Sequence, residues 1–130
     1  MIPPLKRILL VEDEADIRTV ATLALQAVGG FTVASVSNGH EALEIAPTFV
    51  PDLILLDVMM PGLDGPATLH ALRAQPQTAE IPVMFVTAKV QPQEVAELRA
   101  LGALGVIAKP FSPMTLPTTI NQLWTQQYGK

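Results

Sequence analysis

Five residues far apart in the chain are of types that do chemistry together once a fold gathers them: Glu12, Asp13, Asp57, Thr87 and Lys109. Each follows or closes a short apolar run, at residues 8–11, 52–57, 83–86 and 105–108. Three carboxylates in one place cannot all stay ionised without a cation, and one lysine leaves two negative charges uncompensated. All-oxygen donors suit a hard divalent ion, Mg²⁺ first and Mn²⁺ as a possible substitute. An aspartate held beside such an ion is a nucleophile for a phosphoryl group and would give an aspartyl phosphate. A lysine and a hydroxyl aimed at the equatorial phosphoryl oxygens would neutralise the charge of the transferring group.

This chemistry requires the runs to be neighbouring parallel strands. The stretch Asp52-Leu53-Ile54-Leu55-Leu56-Asp57, closed by Pro61-Gly62, suits a strand buried on both faces better than a helix. Such strands belong to helix-covered parallel sheets, whose ligand sites lie beyond the carboxyl ends of the strands. A lone Asp after a strand is as readily a turn cap. The same run-then-polar pattern at four places favours a shared edge.

The segments between the runs are long enough for crossover helices. From about Asp13 to Val28 the spacing of Ile17, Val20, Ala21, Ala24 and Val28 predicts a helix with one buried stripe, stopped by Gly29-Gly30. Residues 31–36 read as an edge strand, and Asn38-Gly39-His40-Glu41 as a helix start with the helix ending before Pro47. Asp64 is a helix cap with Pro66 in the first turn, Pro82 opens the fourth strand, and Gln91-Pro92 starts a helix that Gly102 closes. Ser112-Pro113 reads as the start of the last helix, with Leu116, Ile120, Leu123 and Trp124 as its buried stripe and Pro117, one turn in, predicting a loosened or kinked start. The alternation gives one doubly wound α/β domain, a single five-stranded parallel sheet with five helices, over residues 1–130 with its core at about 6–128.

A net charge of −4 without a basic cluster argues against direct nucleic-acid binding. No run reaches the ~18 apolar residues of a membrane span, and the first residues lack a signal-peptide core, so no membrane insertion and a cytoplasmic location are expected. The absence of cysteine excludes thiolate metal sites and disulfides. His40 and His70 share no ligand spacing and read as solvent-facing.

The motifs Leu-Val-Glu12-Asp13, Leu-Asp57-x-x-Met60-Pro61-x-x-Asp64-Gly65, Thr87-Ala88 and Lys109-Pro110-Phe111 occur in an order and spacing that resembles the response-regulator receiver domain, over about Arg7 to Tyr128. The resemblance implies a flavodoxin-like strand order 2-1-3-4-5, with Asp57 as phosphoacceptor. It implies Asp13 as a direct Mg²⁺ ligand, Glu12 binding through water, and the backbone carbonyl of Met59 completing the protein ligands. Thr87 and Lys109 would contact the phosphoryl group, and the Lys109-Pro110 bond would be cis. The implied donor is a phosphohistidine on a sensor histidine kinase or histidine phosphotransfer protein. The implied output is a conformational change read by a protein target on the face from about Gln91 to Gln127.

The chain departs from the pattern at Val106, where the family usually carries Tyr, Phe or His, so the switching movement rests on Thr87. Met59 and Lys89 occupy the positions that tune phosphoryl lifetime in the family. Gly102-Ala103-Leu104 lacks the acidic residue of the subfamily with salt-bridged dimers. Two other functions are compatible with parts of the pattern. An Asp-nucleophile phosphatase would want a second Asp where Met59 stands, and a phosphorylation-independent receiver-like scaffold would be expected to have lost one of the site residues.

Overall fold

The apolar runs are the centre of a parallel sheet. The computed structural model describes residues 2–129. In chain order the elements are β1 (Arg7–Val11), α1 (Ala15–Leu23) continued by a π-helical turn (Ala24–Val28), β2 (Thr32–Val36), α2 (Gly39–Phe49), β3 (Leu53–Asp57), α3 (Gly65–Ala74), β4 (Val83–Thr87), α4 (Pro92–Ala100), β5 (Gly105–Ala108) and α5 (Leu116–Tyr128). The five strands pair in parallel in the order β2-β1-β3-β4-β5. This is the doubly wound, flavodoxin-like arrangement that the residue pattern and the resemblance lead one to expect, with β2 at an edge.

Side chains alternate across the pleat and so divide the core into two layers. Ile8, Leu10, Leu53, Leu55, Met84, Val86 and Ile107 face Ala21, Leu25, Leu116, Ile120 and Trp124 on the α1 and α5 side. Leu9, Val11, Ile54, Leu56, Val83 and Phe85 face Ala42, Ala46, Leu69 and Leu72 on the α2 and α3 side. Every residue of β3 and β4 is buried, which explains why these strands read as continuous apolar runs. No helix among the described residues is long and apolar enough to cross a membrane.

The helix caps follow the sequence reading. Asn38 accepts from the Glu41 N–H and Asp64 from the Ala67 N–H, both at 2.9 Å. The Glu41 carboxylate reaches back to the N–H and hydroxyl of Ser37.

Three helix expectations need correction. The stripe of α1 does not run through to Val28. The Gly29 N–H reaches back to Ala24, one residue further than in an α-helix, and the wider turn shifts the buried face. Leu25 is therefore fully buried and Val28 is 47% exposed, while Val20, which precedes that turn, is 44% exposed on its own account. Helix α2 does not stop before Pro47 but continues to Phe49, where Arg7 supplies an end that the sequence does not advertise. Its guanidinium donates twice to the Phe49 carbonyl, at 3.1 and 2.7 Å, and lies 4.2 Å from the centre of the Phe49 ring. Lastly, regular α5 begins at Leu116 rather than at Pro113; residues 113–115 form only a turn, a loosened start of the kind expected at Pro117, which then sits in the first helical turn, where no intrahelical N–H bond is lost.

Candidate functional site

The strand register brings the polar residues to one edge. Val11 lies beside Leu56, Asp57 beside Val86, and Thr87 beside Ala108, so Glu12, Asp13, Asp57, Thr87 and Lys109 all emerge at the carboxyl ends of adjacent strands. Carboxylate oxygens of Glu12, Asp13 and Asp57 lie within 4.8 Å of one another. The Lys109 ammonium completes the group, 2.7 Å from Glu12 Oε1 and 3.3 Å from Asp57 Oδ2. The Lys109 backbone is fixed in turn, its N–H donating to the Thr87 carbonyl at 2.9 Å, and its bond to Pro110 is cis.

Asp57 is only 3% exposed. Burial, followed by the nearby charge of Glu12, pushes its carboxyl up to about 7, against the opposing pull of the Lys109 ammonium. Burial would lower Lys109, but its hydrogen bond to Glu12 and the charges of Asp57 and Glu12 outweigh that and raise it. Buried Glu12 also accepts from the Glu14 N–H at 3.0 Å through its other oxygen. Asp13 Oδ1 is buried with no hydrogen-bond partner. A group of three acids and one lysine with an orphaned, inward carboxylate oxygen fits a hard divalent cation, which would supply the missing positive charge and the missing partner.

Thr87 is buried, and its hydroxyl accepts from the Lys89 N–H at 3.1 Å, a bond that joins the end of β4 to the loop after it. Met59 follows on the loop beyond Asp57 with its side chain exposed. Val106 is half-buried on β5, while His40 and His70 are both exposed and outside the cluster.

Two contributors to the site go beyond what the chain pattern reveals. Arg18, in the first turns of α1, donates Nη1 to the backbone carbonyls of Glu12 at 2.8 Å and Asp13 at 3.5 Å. Gly65 belongs to the quoted motif, but its reason is steric: a Cβ there would lie 2.6 Å from the Asp57 carbonyl oxygen and 2.8 Å from Val58 Cα. Nothing in the local pattern around Arg18 marks it out. The site also opens onto an apolar groove of about 390 Å³ between α1 and the β5–α5 loop, lined by Ile17, Val20, Ala88, Lys109, Pro110 and Phe111 among others.

A five-stranded parallel sheet in the order 2-1-3-4-5, with an acid cluster and a lysine at its carboxyl edge, defines a flavodoxin-like α/β domain with its polar site at that edge. Residues 8–121 match the family described as response regulator receiver domain, and the chain belongs to that family. It is 42% identical over 108 residues to the alkaline phosphatase synthesis transcriptional regulatory protein PhoP of Bacillus subtilis, covering 83% of this chain and 44% of the relative. It is 37% identical over 111 residues to the phosphate regulon transcriptional regulatory protein PhoB of Pseudomonas aeruginosa, covering 85% of this chain and 48% of that protein. The chain thus spans about half the length of the curated relatives it matches. Among solved structures, the chemotaxis response regulator CheY4 of Vibrio cholerae superposes with a TM-score of 0.83 at 33% identity, covering 92% of this chain and 99% of that one. The chain is a receiver domain of the two-component signalling type.

Proposed function

We propose that this domain takes a phosphoryl group from a phosphohistidine onto Asp57 and changes conformation in response. The observation that carries the reading is the meeting of Glu12, Asp13, Asp57 and Lys109 at one buried edge, with Asp13 Oδ1 left without a partner. An Asp57 carboxylate oxygen forms the new bond to phosphorus as the donor's N–P bond breaks, and the imidazole nitrogen keeps the electron pair. The Lys109 ammonium and the Thr87 hydroxyl neutralise the phosphoryl oxygens. Asp13 and Asp57 would hold Mg²⁺, or Mn²⁺ in its place, with Glu12 acting through water and the Met59 carbonyl as a further ligand. When bound, the ion supplies charge neutralisation at the acids and at the incoming anion.

The donor is a sensor histidine kinase or a histidine phosphotransfer protein, and the apolar groove beside Lys109 suits the approach of such a partner. For the output, Thr87 exchanges its bond to the Lys89 N–H for the phosphoryl group and draws the following loop with it. The helix after that loop, α4, has no buried side chain, which supports its displacement at low cost and readout by a protein target on the face from Gln91 to Gln127. The net charge of −4 over the 130 residues argues against this chain contacting nucleic acid itself, and a cytoplasmic location accords with such partners.

Incubation with Mg²⁺ and acetyl phosphate followed by intact-mass measurement tests the reading. A single phosphoryl adduct in the native protein and none in Asp57→Asn is expected. An equal adduct in the variant would overturn the assignment.

A further inference from the structure

We infer that Arg18 is a positioning residue for the acid cluster, holding the backbone of Glu12 and Asp13 so that both carboxylates face Asp57. The inference rests on the metal-binding part of the proposed function. Arg18 lies one turn after the start of α1, its own N–H donating to the Glu14 carbonyl at 2.9 Å. Helical side chains lean toward the N-terminus, so this guanidinium folds back over the turn that carries the acids. Its Nη1 takes the Glu12 carbonyl at 2.8 Å and approaches the Asp13 carbonyl at 3.5 Å.

The position is electrostatically unfavourable for a cation, because the first turn of a helix carries positive potential. Ion pairing does not account for it either. Both salt bridges among the described residues use Lys109. Hydrogen bonds from Ser37 are the main causes that lower the Glu41 carboxyl and the charge of Arg18 is the least, and the hydrogen bonds of Arg18 to the acid-bearing turn go to carbonyls. What the guanidinium does accomplish is to tie together two successive peptide units at the point where β1 ends. The Glu12 N–H is bound to the Val36 carbonyl, so Glu12 is anchored from β2 on one side and from α1 on the other. Asp13 Oδ1 has no hydrogen-bond partner, so no donor within the protein holds that oxygen, and the backbone that carries Asp13 contributes to its placement beside Asp57.

A charge effect and a positioning effect have opposite signs here. As a mere positive charge near the cluster, Arg18 repels a divalent ion, and its removal would tighten binding. As the clamp on the ligand-bearing backbone, its removal loosens binding, by about tenfold if it ranks with other residues that orient metal ligands. The test is equilibrium Mn²⁺ binding, read from the electron paramagnetic resonance signal of the free ion, for the native protein, Arg18→Met and Arg18→Lys. Met keeps the alkyl packing without donors or charge, and Lys restores a cationic donor.

We expect Arg18→Met to bind Mn²⁺ about tenfold more weakly and Arg18→Lys to recover part of the loss. Unchanged or tighter binding in Arg18→Met, with the native protein binding normally, overturns the positioning role alone. Native protein that binds no Mn²⁺ overturns the metal reading and this inference with it. If Arg18→Met does not fold, Arg18→Lys decides: its weaker single contact must still lower the affinity measurably, and native affinity in it refutes the clamp.

Discussion

Lys109 lies closer to Glu12 than to Asp57, with Nζ 2.7 Å from Glu12 Oε1 and 3.3 Å from Asp57 Oδ2. The lysine is therefore held mainly by the acid that is not the proposed acceptor, and it reaches Asp57 from a fixed position. A side chain anchored in this way loses little entropy when an anion arrives beside Asp57, which is the electrostatic preparation that phosphoryl transfer needs. It also means that in the metal-free protein Lys109 supplies part of the positive charge that a divalent cation would bring to the acids.

The first prediction follows from that overlap. Removing one member of a buried charge group leaves the others uncompensated. Lys109→Met should melt below the native protein in EDTA and gain more from added Mg²⁺ than the native protein does. Its rate of acetyl phosphate labelling should nevertheless fall about a hundredfold or more, because the cation cannot replace a donor aimed at the phosphoryl oxygens. Melting curves with and without Mg²⁺, together with timed mass spectra, check both parts. An equal gain from Mg²⁺ in variant and native protein contradicts the overlap.

A second prediction concerns pH in the absence of metal. Burial and Glu12 raise Asp57 from its ordinary 3.8 to about 7. Between those values the folded state binds a proton that the unfolded state has released, so this group makes the protein less stable as pH rises through the window from about 4 to 7. Asp57→Asn should flatten that slope in EDTA. Protons and metal compete for the same oxygens, so Mg²⁺ should stabilise the native protein more at pH 8 than at pH 5. Denaturant titrations at several pH values measure both effects, and a native slope of the opposite sign that Asp57→Asn removes would show that burial does not dominate at this carboxyl.

Much of the site was legible because its residues terminate strands. Burial on both faces makes β3 and β4 unmistakable as apolar runs, and the polar residue closing each run marks the sheet edge. The contacts that hold those residues in place are less visible in one dimension. Arg18 acts on backbone carbonyls, which have no residue identity, and Arg7 closes α2 from 42 positions away. Residue spacing does not give the helix phase where the helix itself departs from 3.6 residues per turn, as at the π-helical turn that buries Leu25 and exposes Val28. Pro117 is hard to read in one dimension because a proline's meaning depends on where its helix starts, and α5 starts three residues later than a cap at Ser112 implies.

The third prediction tests the close approach of α3 to the acceptor strand. The Gly65 N–H donates to the Val58 carbonyl at 3.0 Å, and a Cβ at Gly65 would press on backbone atoms of Asp57 and Val58 that cannot rotate away. Gly65→Ala should therefore destabilise the protein by about 1–3 kcal/mol despite alanine's higher helix propensity. It should also reduce labelling at Asp57 by displacing that backbone. Asp64→Ala is the control, since it removes only the cap to Ala67 and should cost about 1 kcal/mol with smaller loss of labelling. Equal labelling by Gly65→Ala and the native protein would show that the strand end does not depend on this contact.

The fourth prediction takes a residue distant in role from the chemistry. Val50 ends α2 in the left-handed region, with φ 50° and ψ 65°, and is 63% exposed. For a β-branched side chain this backbone costs about 1–2 kcal/mol, and Val50 recovers little of that by burial. Its N–H still closes the helix on the Ala46 carbonyl, so the position is the one that glycine commonly fills after a helix. Val50→Gly removes the strain, while the unfolded chain gains freedom that returns about 0.5–1 kcal/mol of it. The net should be a stabilisation of up to about 1 kcal/mol, seen as a melting temperature a few degrees higher. Val20→Gly supplies the opposite sign, because Val20 is also exposed but lies within α1, where glycine costs about 1 kcal/mol against alanine and somewhat less against valine. Paired melts of the two variants separate the backbone effect from the loss of an exposed valine, and a lower melting temperature for both would show that the left-handed turn at Val50 is not strained.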